Sequence, residues 1–340
     1  MKCFPPRSPA KLEVIVEPWF MSAAGKNSPG YDDFIAFKTQ LEASNGVQFF
    51  STVKEVPPAA ESTKRLAIIS ARTADNPSLF ASCLEIGCHS IFLEKPGAPS
   101  LSELQQMMND AQTAGVNVFM GFNKNVSKYV AKTREYEAQH PGTKVTYVHN
   151  NNYDPSEASL GECFERNAEG MLKNMAIHEL ALLVTYYGVT VDSISSVEAD
   201  KDFSICQALK GPSGRVFTDF DKLKFTITTK EDKVISILSD RCGGDDSVGV
   251  VTDTKGNELV RFTMPDNEDA AQIENAEKRI PGAMPYFYVQ DPDYSMLKKR
   301  VAQAILDGNE PEGVATIDVA VETLKLAEYL TPILQTQLLS

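Results

Sequence analysis

Apolar and polar positions alternate between two rhythms in the first third of the chain. Leu12 to Val16 (LEVIV) is a short β-branched run closed by Glu17-Pro18, which predicts a strand. Tyr31 to Ala43 repeats its apolar residues at helical spacing, with Phe34, Phe37 and Leu41 on one face. Val47 to Phe50 is a second apolar run, and Leu66 to Ile69 a third. Asn76-Pro77 then supplies an N-cap and a proline at the first helical position. Leu79, Cys83 and Ile86 continue the helix and Gly87 closes it. Ser90 to Leu93 is the next strand. Ser100 to Glu103 reads as a capping box, opening a helix with Leu101, Leu104, Met108, Ala111 and Ala114 on one face that stops at Gly115. Val116 to Met120 is the last strand of this series.

The result is β-α-β-α-β with short connections, the pattern of a parallel sheet with helical crossovers. Ligands of such sheets sit beyond the carboxyl ends of the strands. Three strand ends therefore define one rim: Ser70 to Thr73, Glu94 to Pro96, and Gly121 to Asn123.

The second half changes rhythm. Lys144–His149, Ile194–Glu198, Phe203–Leu209, Arg215–Phe220, Leu223–Thr229, Val234–Leu238, Val248–Thr252 and Glu258–Thr263 are short strand candidates. Turn residues such as Gly211-Pro212, Glu231-Asp232 and Gly243-Gly244 separate them. A largely antiparallel sheet with one covered face is expected. One helix, roughly Asn174 to Tyr187 and stopped by Gly188, is apolar nearly all round and should be buried. A final amphipathic helix spans Ala315 to Leu330 and is expected to pack back on the first domain.

Composition narrows the partners. The 340 residues carry a formal net charge of −13, which disfavours nucleic acid as a general partner. Six cysteines without a C-x-x-C pair fit free thiols in a reducing compartment. Met1 to Lys11 has no apolar stretch of the kind a secretory signal needs, and no run is long enough for a membrane span. The expectation is a cytoplasmic protein without metal.

Two residues stand out for chemistry. Lys95, in Glu94-Lys95-Pro96, sits at a strand end, where partial desolvation lets a lysine donate to an alcohol or carbonyl oxygen. The plainer reading is a solvated strand-end lysine. His178 lies in the apolar helix, one turn after Asn174, and could take up an alcohol proton while hydride leaves carbon. The plainer reading is a hydrogen-bonded core histidine. Glu179 beside it invites a zinc-protease motif, but Leu182 stands where the second histidine would be. Gly25 to Gly30 lacks phosphate-loop spacing and reads as a surface loop.

Glu94-Lys95-Pro96, Gly121-Phe122-Asn123 and His178 in a buried helix, in this order, resemble the Gfo/Idh/MocA oxidoreductases, from about Leu12 to the C-terminus. The resemblance implies an α/β Rossmann-like parallel domain (1–122) and an α+β domain with a large, mostly antiparallel open sheet (123–310). The C-terminal helix (311–340) would pack on the first domain. It implies NAD or NADP, with NAD favoured by Glu17 at the ribose position. It places Lys95 near the reacting oxygen and nicotinamide, His178 at the proton, and Asn174, where the family has Asp, beside His178 as its orienting group. Ser70, Arg72, Thr73 and Glu94 become cofactor contacts by rim position, and Asn123 and Tyr153 substrate contacts. Asn125 replaces a common Arg of G-x-N-x-R, and the first strand with its G-x-G-x-x-G turn is expected to be missing. The implied reaction is hydride transfer between nicotinamide and a small polar hydroxy or carbonyl metabolite, such as a sugar or cyclitol, in a homodimer or homotetramer. A metabolite sensor or scaffold that lost the dinucleotide is the alternative. A lyase or hydrolase using transient oxidation is a third.

Overall fold

A computed structural model describes residues 10–60, 63–283 and 285–339. The start of the Met1–Lys11 stretch, with Cys3, lies outside them, and the other five cysteines are free thiols. The first half follows the expected order. Strand β1 (Val14–Val16) leads through α1 (Tyr31–Asn45) to β2 (Gln48–Phe50), which pairs with β1 in parallel. A small aromatic cluster holds this unit together, with Phe34 stacked on Phe20 at 5.1 Å and edge-on to Phe49 at 6.0 Å. Then β3 (Leu66–Ile69), α2 (Asn76–Glu85), β4 (Ser90–Leu93), α3 (Leu101–Ala114) and β5 (Asn117–Met120) build a second parallel sheet in the order β3-β4-β5. Half of the capping box forms: Ser100 Oγ accepts from Glu103 N at 3.3 Å, while the Glu103 carboxylate takes the Ser100 hydroxyl at 2.6 Å in place of the backbone N–H. Asn76 is not a cap. It is the first helical residue, and its amide donates across to Gly97 O at 2.9 Å.

These parallel strands make two sheets rather than one. Among the described residues β1 pairs with β2 alone and β3 with β4 alone. The entrances to β1 and β3 still lie side by side, since Arg65 reaches Glu13 at 3.6 Å. Ile68 on β3 is 51% exposed, whereas every residue of the neighbouring β4 is buried.

After α4 (Lys128–Gln139) the large sheet begins with β6 (Lys144–Asn150). Two short helices, α5 (Glu157–Arg166) and α6 (Met171–Asn174), and α7 (Ile177–Tyr187) precede β7 (Ile194–Ala199), β8 (Ile205–Lys210) and β9 (Val216–Thr229). Strands β10 (Val234–Asp240), β11 (Ser247–Thr252) and β12 (Glu258–Met264) complete the sheet, ordered β12-β11-β6-β10-β9-β7 with β8 beside β9. Among the described residues of this sheet, β6 and β10 alone pair in parallel. The runs at Arg215–Phe220 and Leu223–Thr229 are one strand, because Asp221 and Lys222 carry the ladder through. Lys222 pairs with Ile205 on one side and Asp240 on the other. Alternation buries Leu223, Phe225 and Ile227 on one face.

Helices α8 (Ala270–Arg279), α9 (Pro285–Asp307) and α10 (Ile317–Leu339) follow. The last runs nine residues beyond its expected end, through Pro332. It packs on α3, α7 and the sheet. One core therefore joins Leu93 and Leu104 of the first half to Leu180, Phe225, Ile237 and Leu324 of the second. No helix among the described residues is long and apolar enough to cross a membrane.

Candidate active site

The rim forms as the strand ends dictate. Glu94 N bonds Ile69 O at 3.1 Å and Gly121 N bonds Leu93 O at 2.8 Å, so the ladder continues into the three loops and sets them level. Glu94 folds over Gly121; a Cβ there would stand 2.3 Å from Glu94 Oε2, so any larger residue would push the carboxylate aside. Burial pushes the Glu94 carboxyl up, against the pull of Lys298 and Lys95. Ser70 and Arg72 are exposed on the turn after β3, with Thr73 half-buried beside them. Arg72 Nε lies 3.0 Å from Asp75 Oδ2.

Lys95 reaches out of the rim to the second domain. Its Nζ donates to Asn174 O at 2.8 Å. That carbonyl is free because α6 stops at Asn174 and α7 starts at Ile177. Ala176 N reaches back to Met171 O at 3.0 Å, a widened turn that breaks the helix expected across this segment. The break also overturns the i, i+4 relation between Asn174 and His178. The Asn174 amide turns instead to Glu169 Oε1 at 3.0 Å. Burial lowers the Lys95 ammonium, with Glu169 and Glu94 opposing.

His178 is buried, edge-on to Phe122 at 6.0 Å, and its Nδ1 has no partner. Burial, then Lys95 and Lys124, hold its pKa well below the usual histidine value, so the ring is neutral at pH 7. Beside it lies a charged cluster that sequence reasoning missed. Lys124 Nζ sits 2.6 Å from Glu179 Oε1, and His149 Nδ1 sits 3.1 Å from Glu179 Oε2. All three side chains are buried. Burial alone would raise the Glu179 carboxyl, but Lys124 and then His149 hold it far below the carboxylate range. Burial, then Lys124, lowers the His149 ring. The pairs join residues 55 and 30 positions apart, which no local pattern announces. The only signal was Glu179 next to His178.

The remaining candidates divide. Asn123 is fully buried with neither amide atom partnered, as a group awaiting a ligand would be. Asn125 faces the core and donates to Thr185 Oγ1 at 2.8 Å, so its exchange for Arg alters packing against α7 rather than the open rim. Tyr153 lies under the Arg166 guanidinium at 5.7 Å. Glu17 uses Oε1 to accept from Trp19 N and Phe20 N at 2.9 and 3.2 Å, which fastens the turn after β1. Among the described residues no group of three His, Cys, Asp or Glu side chains is placed to hold a metal.

Polar groups for a bound ligand are present on and under the rim: Ser70 and Arg72 are exposed and Thr73 is half-buried, while Asn76 Oδ1 and both Asn123 amide atoms are buried without partners.

Residues 32–122 match the model of an oxidoreductase family described by its NAD-binding Rossmann fold. Solved structures with the same fold include a putative myo-inositol dehydrogenase from Sinorhizobium meliloti, at TM-score 0.63 and 16% identity, covering 89% of this chain and 88% of that one. A myo-inositol dehydrogenase from Corynebacterium glutamicum aligns at TM-score 0.61 and 18% identity, over 94% and 87%. The WlbA dehydrogenase from Bordetella pertussis, in complex with NADH and UDP-GlcNAcA, aligns at TM-score 0.58 and 14% identity, over 96% and 88%. At these identities the likeness speaks of fold. No curated protein matches the sequence. The resemblance to the Gfo/Idh/MocA oxidoreductases, and their two-domain architecture, are borne out.

Proposed function

We propose that this chain, built on the Gfo/Idh/MocA fold, is an NAD(P)-dependent dehydrogenase acting on a hydroxyl or carbonyl carbon of a small polar metabolite, a sugar, cyclitol or related compound. The observation that carries the proposal is the meeting of Lys95 with Asn174 O at 2.8 Å beside a buried neutral imidazole whose Nδ1 is free. Ser70, Arg72, Thr73 and Glu94, with Lys95, are the residues to hold the nicotinamide end, and Glu17 the ribose, favouring NAD. When bound, the nicotinamide accepts or returns hydride at C4. Lys95 is anchored by a carbonyl rather than paired to a carboxylate, so its remaining N–H groups are free to donate to the substrate oxygen. His178 receives the alcohol proton at a ring nitrogen. Asn174 serves through its carbonyl, which aims Lys95. Asn123 and Tyr153 are the proposed substrate contacts.

Lys95→Ala is expected to reduce turnover on the order of 10²- to 10⁴-fold, the usual worth of a positioned proton donor. Steady-state rates with NAD and a panel of polyols measure this, and a near-normal rate in the mutant would sink the assignment.

A specific observation favours a second reading, a sensor or scaffold without dinucleotide. The parallel strands are parted between β1 and β3, and Glu17 already serves its own turn. Titration with NADH and NADPH, followed by nicotinamide fluorescence, separates the two readings. Saturable binding is expected for the dehydrogenase; none at millimolar nucleotide would favour the scaffold.

A further inference from the structure

Two buried imidazoles face each other in this site, and only one has a carboxylate behind it. The ring centroids of His149 and His178 are 6.4 Å apart at an angle of 70°. Glu179 gives one oxygen to Lys124 and the other to His149 Nδ1. An ionised carboxylate only accepts hydrogen bonds, so His149 carries its hydrogen on Nδ1 and a lone pair on Nε2. Such a pair fixes the tautomer and stabilises the imidazolium formed when Nε2 gains a proton. His178 has no equivalent support, because its Nδ1 is unpartnered. His149 also borders a polar cleft lined by Asn150, Asp245, Asp246 and Ser247, of which Asp245 is exposed. Its ring thus stands between the buried His178 and an opening lined with carboxylates.

We propose that His149 is a proton relay, taking the alcohol proton from His178 and passing it to water in the cleft bordered by Asp245 and Asp246. The inference rests on the reading of His178 as the first acceptor. In the oxidising direction hydride leaves the substrate carbon for nicotinamide and the hydroxyl proton goes to His178. His178 gives a proton, through one bridging water, to His149 Nε2. The imidazolium is held by Glu179 until the same nitrogen releases the proton to the cleft. His178 and His149 end neutral, and the net products are the carbonyl, reduced nicotinamide and one proton in solvent. The charged groups facing His149 are Glu179 and Lys124, with Lys95 at the rim and Asp293 beyond Lys124.

Nitrogen-15 NMR of the full chain without ligand tests the relay. Only four histidines contribute signals. His149 is expected neutral at pH 7 with its hydrogen on Nδ1, and it should protonate before His178 as pH falls. The ring N–H of His178 should exchange with water about tenfold more slowly in His149→Asn, since a relay in this range sets proton access. Should that variant not fold, the tautomer of His149 and the order in which the two rings protonate, both read on the wild type, carry the test by themselves. A hydrogen on His149 Nε2 in the wild type, protonation of His178 first, or unchanged His178 exchange would overturn the relay. These readouts need neither substrate nor nucleotide. Their failure would leave the dehydrogenase reading to stand on nucleotide binding and Lys95→Ala.

Discussion

The Asn174 carbonyl is the residue-scale link between the halves of the site. It exists as a free acceptor because two helices fail to join, and it takes the ammonium of Lys95 from the opposite domain. Close by, Lys124 and Glu179 form a buried ion pair. Removing one member strands the other charge in the core, which typically costs about 3–5 kcal/mol. Glu179→Gln or Lys124→Met is therefore expected to destabilise the fold by that order, read from the urea midpoint. Replacement of both by apolar residues should recover much of the loss. Lys95, His178 and Asn123 were legible in the sequence because each falls at a position that periodicity or motif order marks. Lys124, Glu179 and His149 were not, since what makes them a cluster is the packing of a rim turn, a helix and a strand against one another. The carbonyl of Asn174 was legible only as the wrong atom of the right residue.

At the scale of elements, the strands and crossover helices of the first half follow their apolar spacing to within two residues, and the large sheet does nearly as well. The failures have local causes. Asn174 to Tyr187 is apolar nearly all round, so nothing in its pattern reveals the wide turn at 175–176. Helix α9 escaped notice because Pro292 and several polar residues interrupt its period. It carries Asp293, buried with Oδ2 unpartnered, whose carboxyl burial raises from 3.8 to about 7. Between these values the folded chain keeps a proton that the unfolded chain has released. Stability thus falls as pH rises through this window and is fully present only below it. Asp293→Asn should unfold at a higher temperature than wild type at pH 8, by up to about 4 kcal/mol in stability, with the difference vanishing near pH 4. Equal melting shifts at both pH values would contradict the assignment.

For the whole molecule, one hydrophobic core running from α2 and α3 through α7 and α10 to the large sheet couples the two domains. It joins the strands that carry the rim and the helix that carries His178 in one frame. The parted parallel strands are the exception to this continuity. Backbone direction alternates along a strand, and the bonds from Gln48 N to Glu13 O and from Glu94 N to Ile69 O fix which residues face inward. Val14, Val16, Leu66 and Ile68 consequently turn their amides toward the gap. Deuterium should enter those four amides faster than Ile15, Ile69 and the central β4 residues Ile91 and Phe92, as resolved by amide exchange NMR. Uniform protection across both sets would mean that the gap is closed in solution. Open edges of this kind are templates for any extended peptide that can run parallel to them. With β1 and β3 each unpaired on one side among the described residues, association through this seam at high concentration is the expected cost to solubility.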